Sequence, residues 1–399
     1  MKQRVIIVTK FYYRRGGDCI YALNLERMLR EHGHETAVFA MNYGENDESA
    51  WSGYWPEEVG FDGGLGAKLK AVRRTLGFGD VKTRFARLLD EFRPDVVHLN
   101  NVHSYLSPVV AGMARRRGIR VVWTLHDYKL LCPAYACLRN GHPCELCFDS
   151  KLPVLRTRCM KGSAAASAIA LMEAWRWNRR RLQHDTDRFI CPSVFMAEKM
   201  RQGHFATDKI EALSNFMAPE MIESYRSVDT TTAPRDYYCY IGRLSEEKGV
   251  TTLLKAASSL PYKLIVTGDG ALSGKLRNEY GGNANIVFTG RVDAGRVRDI
   301  VSGARMSVMP SECYENNPLG MIESFCAGTP VVGAAIGGIP ELVSADRGLT
   351  FESGSVESLK QAIVRAWNHP WDNDTIKSRA LDEFSPERYY SRLTEIYGG

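Results

Sequence analysis

The sequence predicts an α/β protein made of two doubly wound, Rossmann-like parallel-sheet domains. Three observations predict it. Continuous apolar strands alternate with amphipathic helices, the pattern of a parallel sheet buried on both faces. The alternation breaks once, at residues 214–235, where Ser, Asn, Pro and the run Thr230-Thr231-Thr232 displace apolar residues and read as a linker. The chemically distinctive residues stand just after strands, where open α/β sheets bind ligands. Length agrees: 399 residues suffice for two or three domains. Two such sheets facing each other would enclose a cleft.

In order along the chain, Val5–Val8 is a continuous apolar strand followed by Gly16-Gly17-Asp18. A helix follows, with Leu25, Met28 and Leu29 at i, i+3, i+4, stopped by Gly33. Thr36–Met41 completes a βαβ unit, and Asp95–Leu99, Arg120–Leu125 and Arg188–Cys191 extend the first sheet. Past the linker, Tyr237–Ile241, Lys263–Thr267, Asn285–Thr289, Met306–Met309, Pro330–Gly333 and Gly348–Phe351 supply the second, and Ser385–Tyr397 reads as a closing helix.

Apolar residues at 44% and charged residues at 25% are ordinary for a globular chain. A net charge of +6 is too mild to imply nucleic acid, and none is expected as a partner. The charge is uneven: residues 1–190 hold 30 Lys and Arg against 20 Asp and Glu, and residues 191–399 hold 22 against 26. No apolar run reaches the roughly 18 residues of a membrane span. The N-terminus reads as a strand, not a signal peptide. The expectation is a cytoplasmic protein with reduced thiols, whose ten cysteines form no disulfide framework.

Two constellations carry chemistry in the second half. Tyr237–Ile241 runs into Gly242-Arg243-Leu244-Ser245-Glu246-Glu247-Lys248-Gly249, with a helix from about Val250. Arg243 and Lys248 at a helix entrance suit a diphosphate clamp, because free N–H groups and the helix dipole add to them. A solvated turn with a Glu-Lys pair is the plainer alternative. After Met306–Met309 comes Glu315-Asn316-Asn317-Pro318-Leu319-Gly320-Met321-Ile322-Glu323. Asn317 suits an N-cap and Pro318 the first helical position, so Glu315 falls in the loop and Glu323 on the second turn. Carboxylates accept from sugar hydroxyls, and free N–H groups donate to oxygens.

Gly-Arg-x4-Lys-Gly, then Glu-x7-Glu, then Gly328-Thr329-Pro330-Val331-Val332 and Gly337-Gly338-Ile339-Pro340-Glu341, resembles the retaining family-4 glycosyltransferases of the GT-B fold, over nearly the whole chain. The resemblance implies a retaining, metal-independent hexosyltransferase that moves a sugar from a UDP- or GDP-sugar to a saccharide or lipid-linked acceptor, in surface polysaccharide or glycoconjugate synthesis. It implies that Arg243 and Lys248 hold the donor diphosphate, that Glu315 binds sugar hydroxyls, and that Glu323 binds the ribose. Backbone groups near Asn317, Pro318, Leu319 and Gly320 would hold sugar and phosphate. Gly268-Asp269-Gly270 and Gly290 would line the donor side, with the base near Arg291 and Val292. Gly16 and Gly17 would lie against the diphosphate, and His126 would contact the donor sugar's primary hydroxyl. The donor phosphate itself would help deprotonate the acceptor, leaving the enzyme to position the reactants and stabilise the leaving group. The last helix would return to the first domain. The expected domains are 1–213 plus 383–399 on the acceptor side and 214–382 on the donor side.

Two features lie outside that pattern. Lys68, Lys70, Arg73, Arg74, Lys82, Arg84, Arg87 and Arg115-Arg116-Arg117 concentrate positive charge, and Leu69, Val72 and Leu76 recur beside them at near-helical spacing. This suits peripheral contact with an anionic membrane, or a solvated charged face. Cys132, Cys137, Cys144, Cys147 and Cys159 cluster within the segment 132–159. Four of them, Cys132, Cys137, Cys144 and Cys147 with Cys159 as a replacement, would suit a structural zinc. Reversible disulfides and free buried thiols are the alternatives. A non-enzyme reading also stands: a nucleotide- or zinc-binding interaction protein with a degenerate GT-B site.

Overall fold

The computed structural model describes residues 2–61, 63–230 and 235–398. The chain divides into two compact units. The first is Met1–Cys137, Cys144–Ser214 and Tyr389–Gly399; the second is Leu138–Pro143 and Asn215–Arg388.

Up to residue 212 the elements are β1 (Arg4–Val8), α1 (Gly17–Glu31), β2 (Glu35–Phe39), α2 (Leu65–Thr75), α3 (Asp80–Phe92), β3 (Val96–Leu99), α4 (Val109–Arg115), β4 (Arg120–Thr124), the short ribbon β5 (Leu138–Arg139) and β6 (His142–Pro143), α5 (Pro153–Arg156), α6 (Ala164–Arg176), α7 (Arg179–Asp185), β7 (Arg188–Cys191), α8 (Val194–Gln202) and β8 (Ile210–Ala212). Six parallel strands form one sheet in the order β2-β1-β3-β4-β7-β8. Its central strands are buried along almost their whole length, as continuous apolar runs covered by helices on both faces should be.

The second unit contains α9 (Pro219–Arg226), β9 (Tyr237–Ile241), α10 (Val250–Ala257), β10 (Lys263–Thr267), α11 (Ser273–Tyr280), β11 (Ile286–Gly290), α12 (Ala294–Gly303), β12 (Ser307–Met309), α13 (Leu319–Cys326), β13 (Val331–Ala334), α14 (Ile339–Leu342), β14 (Gly348–Phe351), α15 (Val356–Asn368) and α16 (Asn373–Glu383). Its sheet is also parallel, in the order β11-β10-β9-β12-β13-β14, the doubly wound order. Each sheet reverses its winding beside its first strand: between β1 and β3 in the first unit, between β9 and β12 in the second.

The last helix, α17 (Pro386–Gly398), is tied to the first unit by polar bonds. Tyr397 OH lies 2.6 Å from His98 Nδ1, and Tyr390 OH lies 2.8 Å from His34 Nε2. Tyr389 OH bonds Tyr21 OH, and the Arg120 guanidinium donates to the Ile396 carbonyl. The Tyr390 ring stacks on His32 at 3.7 Å.

The structure departs from the sequence expectations at three places. The stretch read as a linker contains α9, anchored by buried Ile222 and Tyr225; two apolar anchors in eight residues were too few to announce it. Thr231 and Thr232 lie outside the described residues. On α2 the apolar stripe is split: Val72 and Leu76 are half-buried, but Leu69 is exposed. Leu65 and Leu69 face outward, at 88% and 61% exposure, while Ala71, Arg74 and Thr75 are buried. Arg74 belongs to no solvated face: it pairs with Asp80 and donates to the Glu57 carbonyl. Arg115 and Arg117 are likewise paired, with Asp187 and Asp90. Among the described residues no helix is long and apolar enough to cross a membrane.

Candidate active site

In the second unit the loops after β9 and β12 meet at the switch point. Gly249 makes the meeting possible. Its φ is +64°, and a Cβ there would stand 1.8 Å from the Pro310 carbonyl oxygen, so only glycine lets the two loops close. Lys248, one residue earlier, thereby reaches across the gap. Its Nζ lies 2.6 Å from Glu315 Oε1, and both side chains are largely buried. Ser311 Oγ donates to the same oxygen at 2.7 Å. Burial works against the Lys248 ammonium, but the Glu315 carboxylate more than offsets it and holds its pKa above the ordinary lysine value. Gly337 (φ +62°) closes the other side: a Cβ would meet the Glu315 backbone at 2.5 Å, and Gly338 N–H donates to the Glu315 carbonyl at 2.7 Å.

Arg243 is mostly exposed and reaches Glu247 Oε1 at 3.6 Å, and Ser245 Oγ donates to the same oxygen at 2.7 Å. Asn317 does not cap α13. Its Oδ1 accepts from the Asn215 backbone N–H and its carbonyl from Asn215 Nδ2, each at 2.9 Å. The N-cap position belongs to Pro318, which has no side-chain donor or acceptor, and the helix begins at Leu319. The first N–H groups of α13 are therefore open to a ligand's oxygens. Glu323, on that helix, is half-buried, and burial raises its carboxyl to about 7. Arg291 is exposed and Val292 half-exposed after β11, at the sheet edge two strands from the switch point. Asp269 accepts from Gly270 N–H at 2.8 Å and from Ser273 Oγ.

In the first unit the switch point lies beyond β1 and β3. His126 follows β4, and its Nε2 is 2.9 Å from Asn100 Oδ1. The Asn100 amide points its nitrogen toward the Val8 carbonyl, so its oxygen faces the ring and Nε2 carries the proton. Tyr21 packs edge-on to the imidazole at 4.8 Å. Burial pulls the His126 pKa down to about 4, partly opposed by Asp18, so the ring is neutral near pH 7. Asp18 is itself opposed by burial, yet His126, a hydrogen bond from Asn101 and Lys10 keep it below the usual carboxylate range. Gly16 caps α1 with an extended backbone, where a Cβ would meet Asp18 Oδ1 at an ordinary 3.4 Å. Gly17 is exposed as the first residue of α1.

Ser311, Asn215 and Asn100 were missing from the sequence reading, and Asp18 stood there only as the residue after Gly16 and Gly17. Asn100-Asn101 directly after an apolar strand was the signal that would have found one of them.

The four-cysteine zinc site is not formed. Among the described residues no group of three or more His, Cys, Asp or Glu side chains is arranged to hold a metal ion, and all ten cysteines are free. The thiols satisfy one another instead. Cys137 and Cys147 donate to Cys132, which holds Cys132 well below the usual thiol range and pushes its two partners up. Cys159 bonds Thr157 Oγ1 at 2.8 Å, and Cys144 is half-exposed.

Known proteins resemble this chain in sequence and in fold. The family model described as Glycosyltransferase Family 4 matches residues 15–220, and that described as Glycosyl transferases group 1 matches residues 222–383. An uncharacterized 42.6 kDa protein in the cps region of Klebsiella pneumoniae is 23% identical over 353 residues, 85% of this chain and 87% of that protein. The putative teichuronic acid biosynthesis glycosyltransferase TuaC of Bacillus subtilis is 32% identical over 128 residues, 32% of this chain and 31% of that protein. Sucrose-phosphate synthase from Thermosynechococcus elongatus superposes with a TM-score of 0.70 at 18% identity, covering 99% of this chain and 98% of that one. Anabaena HepE, solved in complex with UDP and glucose, superposes at 0.65 with 15% identity, covering 99% of both chains.

Proposed function

The chain belongs to glycosyltransferase family 4, and from that membership and its switch-point geometry we propose that it is a retaining enzyme that transfers a hexose from a UDP- or GDP-sugar to a saccharide or lipid-linked saccharide. The Lys248–Glu315 contact carries the reading. It holds a cation and a carboxylate at one strand end, beside the uncapped start of α13.

In this proposal Lys248, Arg243 and the open amides at Leu319 and Gly320 take the charge of the leaving diphosphate. Glu315 accepts from sugar hydroxyls, Glu323 from the ribose, and Arg291 and Val292 flank the base. Neutral His126 offers Nδ1 to the sugar's primary hydroxyl, and the loop at Gly16 and Gly17 lies against the diphosphate. The bond from the anomeric carbon to the diphosphate oxygen breaks. The acceptor oxygen bonds to that carbon from the same face, and its proton passes to the departing phosphate. Charge-assisted hydrogen bonds that strengthen as the diphosphate leaves favour the transition state over the bound substrate.

The sequence relatives named for teichuronic acid synthesis and found in a cps region favour surface polysaccharide as the product class. Peripheral contact with an anionic bilayer is part of the proposal, made by outward-facing Leu65 and Leu69 with Lys68 and Lys70. Flotation with vesicles should rise with anionic lipid content and fall for Leu69→Glu; flotation indifferent to both removes this part.

Calorimetric titration with UDP and GDP tests the centre. One of them should bind, and Lys248→Ala should weaken it tenfold or more, about 1.4 kcal/mol or above. Binding of neither overturns the donor assignment. Slow donor hydrolysis abolished by Glu315→Ala would separate an enzyme from a degenerate binding protein.

A further inference from the structure

We propose that the β1–β3 switch point of the first unit is an acceptor subsite for a saccharide bearing an anionic group, with the sugar ring on an aromatic shelf and the anion at Lys10 and Arg15. The inference rests on the glycosyl-transfer reading and adds the chemical class of the acceptor.

The shelf is built by loops from three adjacent strands. Phe11 and Tyr13 follow β1, Tyr43 follows β2, and Tyr105 follows β3. Phe11 is the buried hub, with ring centroids 5.0 Å from Tyr43, 5.8 Å from Tyr13 and 6.1 Å from Tyr105. Tyr13 and Tyr43 meet at 6.1 Å, and Phe61 extends the row at 6.3 Å from Tyr105. Aromatic clusters of this size are ordinarily sealed in cores, yet the four residues around Phe11 keep accessible surface. They do so at the carboxyl edge of a parallel sheet, where such folds bind ligands. The C–H face of a pyranose ring is complementary to the negative face of an aromatic ring.

Two cations lie against the rings of the shelf. Lys10 Nζ lies 5.6 Å from the Phe11 centroid and 5.7 Å from that of Tyr105. The Arg15 guanidinium lies 4.2 Å over Phe11. Among the described residues neither cation, nor exposed Arg14, has a carboxylate within ion-pair distance. Asp18 acts on the His126 side and Glu58 on the Tyr43 side. The cations over Phe11 and Tyr105 are the groups an anion would meet at the shelf.

The test is saturation-transfer NMR on full-length Lys248→Ala protein, in which phosphate binding at the donor clamp is weakened. The probes are methyl β-glucuronide, glucose 1-phosphate and neutral methyl β-glucoside. At least one anionic probe should bind about tenfold tighter than the neutral one, and which one does so tells carboxylate from phosphate as the anion. Lys10→Gln should abolish that preference and leave neutral binding unchanged. Tyr43→Ala, or Tyr13→Ala should one of the two variants misfold, should weaken all probes. Equal binding of charged and neutral probes overturns the proposal, as does a preference that survives both Lys10→Gln and Arg15→Gln. The nucleotide titration keeps the two readings apart. Nucleotide binding without anion preference removes only the acceptor inference, and Lys10-dependent preference without nucleotide binding removes only the transfer reading.

Discussion

At the Lys248–Glu315 contact a single ion pair joins loops that stand 67 residues apart in the chain. Lys248→Ala leaves Glu315 with Ser311 as its remaining side-chain donor, which should lower stability by about 1–3 kcal/mol in a urea melt. Lys248→Arg should not rescue nucleotide binding, because a planar fork does not replace a point charge at a 2.6 Å contact. Glu323 makes a prediction of opposite character. Its folded carboxyl titrates near 7 rather than in the usual range, so the stability it allows is full below about 4.5 and is lost as pH rises through 7. Glu323→Gln should therefore stabilise the free protein by about 1–2 kcal/mol at pH 8, a value discounted for partial exposure, with no gain at pH 4.5. If Glu323 binds the ribose, the same variant loses nucleotide affinity at pH 8. Neither residue's environment was readable from its neighbours in the chain. The spacing pointed to both carboxylates, but the burial of one and the pairing of the other depend on what folds over them.

Among the elements, the β9–α10 turn tolerates least. Gly249→Ala places a methyl group 1.8 Å from the Pro310 carbonyl in a left-handed backbone, so the two loops must part. A loss of about 2 kcal/mol or more in the second unit's melt is expected, together with loss of nucleotide binding. The closing helix α17 is the corresponding element of the first unit. Tyr397→Phe removes the partner of buried His98 Nδ1 and should cost about 1–3 kcal/mol, read as a lower melting temperature of the first unit alone. Helix boundaries were legible where the cap is local, as at Val250. They were misread at α13, where Asn317 has the chemistry of a cap but spends its side chain on Asn215, a residue 102 positions away.

Between pH 7.5 and 4.5 the buried histidines of the first unit and Glu323 of the second act on stability in opposite directions. The histidines whose pKa values are lowered are His34, His98, His103 and His126, all in the first unit, with burial the leading cause at each. His98 falls to about 3 and His126 to about 4, so the stability they confer is full above 6.5 and is lost as pH falls toward those values. Raised Asp127 offsets part of this loss. In the second unit Glu323 acts the other way. Calorimetric scans from pH 7.5 to 4.5 should show the first unit's transition moving down relative to the second's. Parallel movement of both would contradict the histidine assignment.

Local apolar runs were enough for the α/β class and for every strand of the two six-stranded sheets except β8, because burying both faces of a strand demands a continuous apolar run; β8 has only Ile210 buried and left no such run. The sequence also marked Arg243, Lys248, Glu315 and Glu323, because their spacing follows strand ends. Which loops meet depended on long-range contacts. They turned Leu69 outward and Arg74 inward, set Asn317 against Asn215, satisfied the thiols with one another, and brought three strands' tyrosines around Phe11. Those outcomes depend on strand order within each sheet, and strand order is fixed by contacts between residues far apart in the chain, which no local period records.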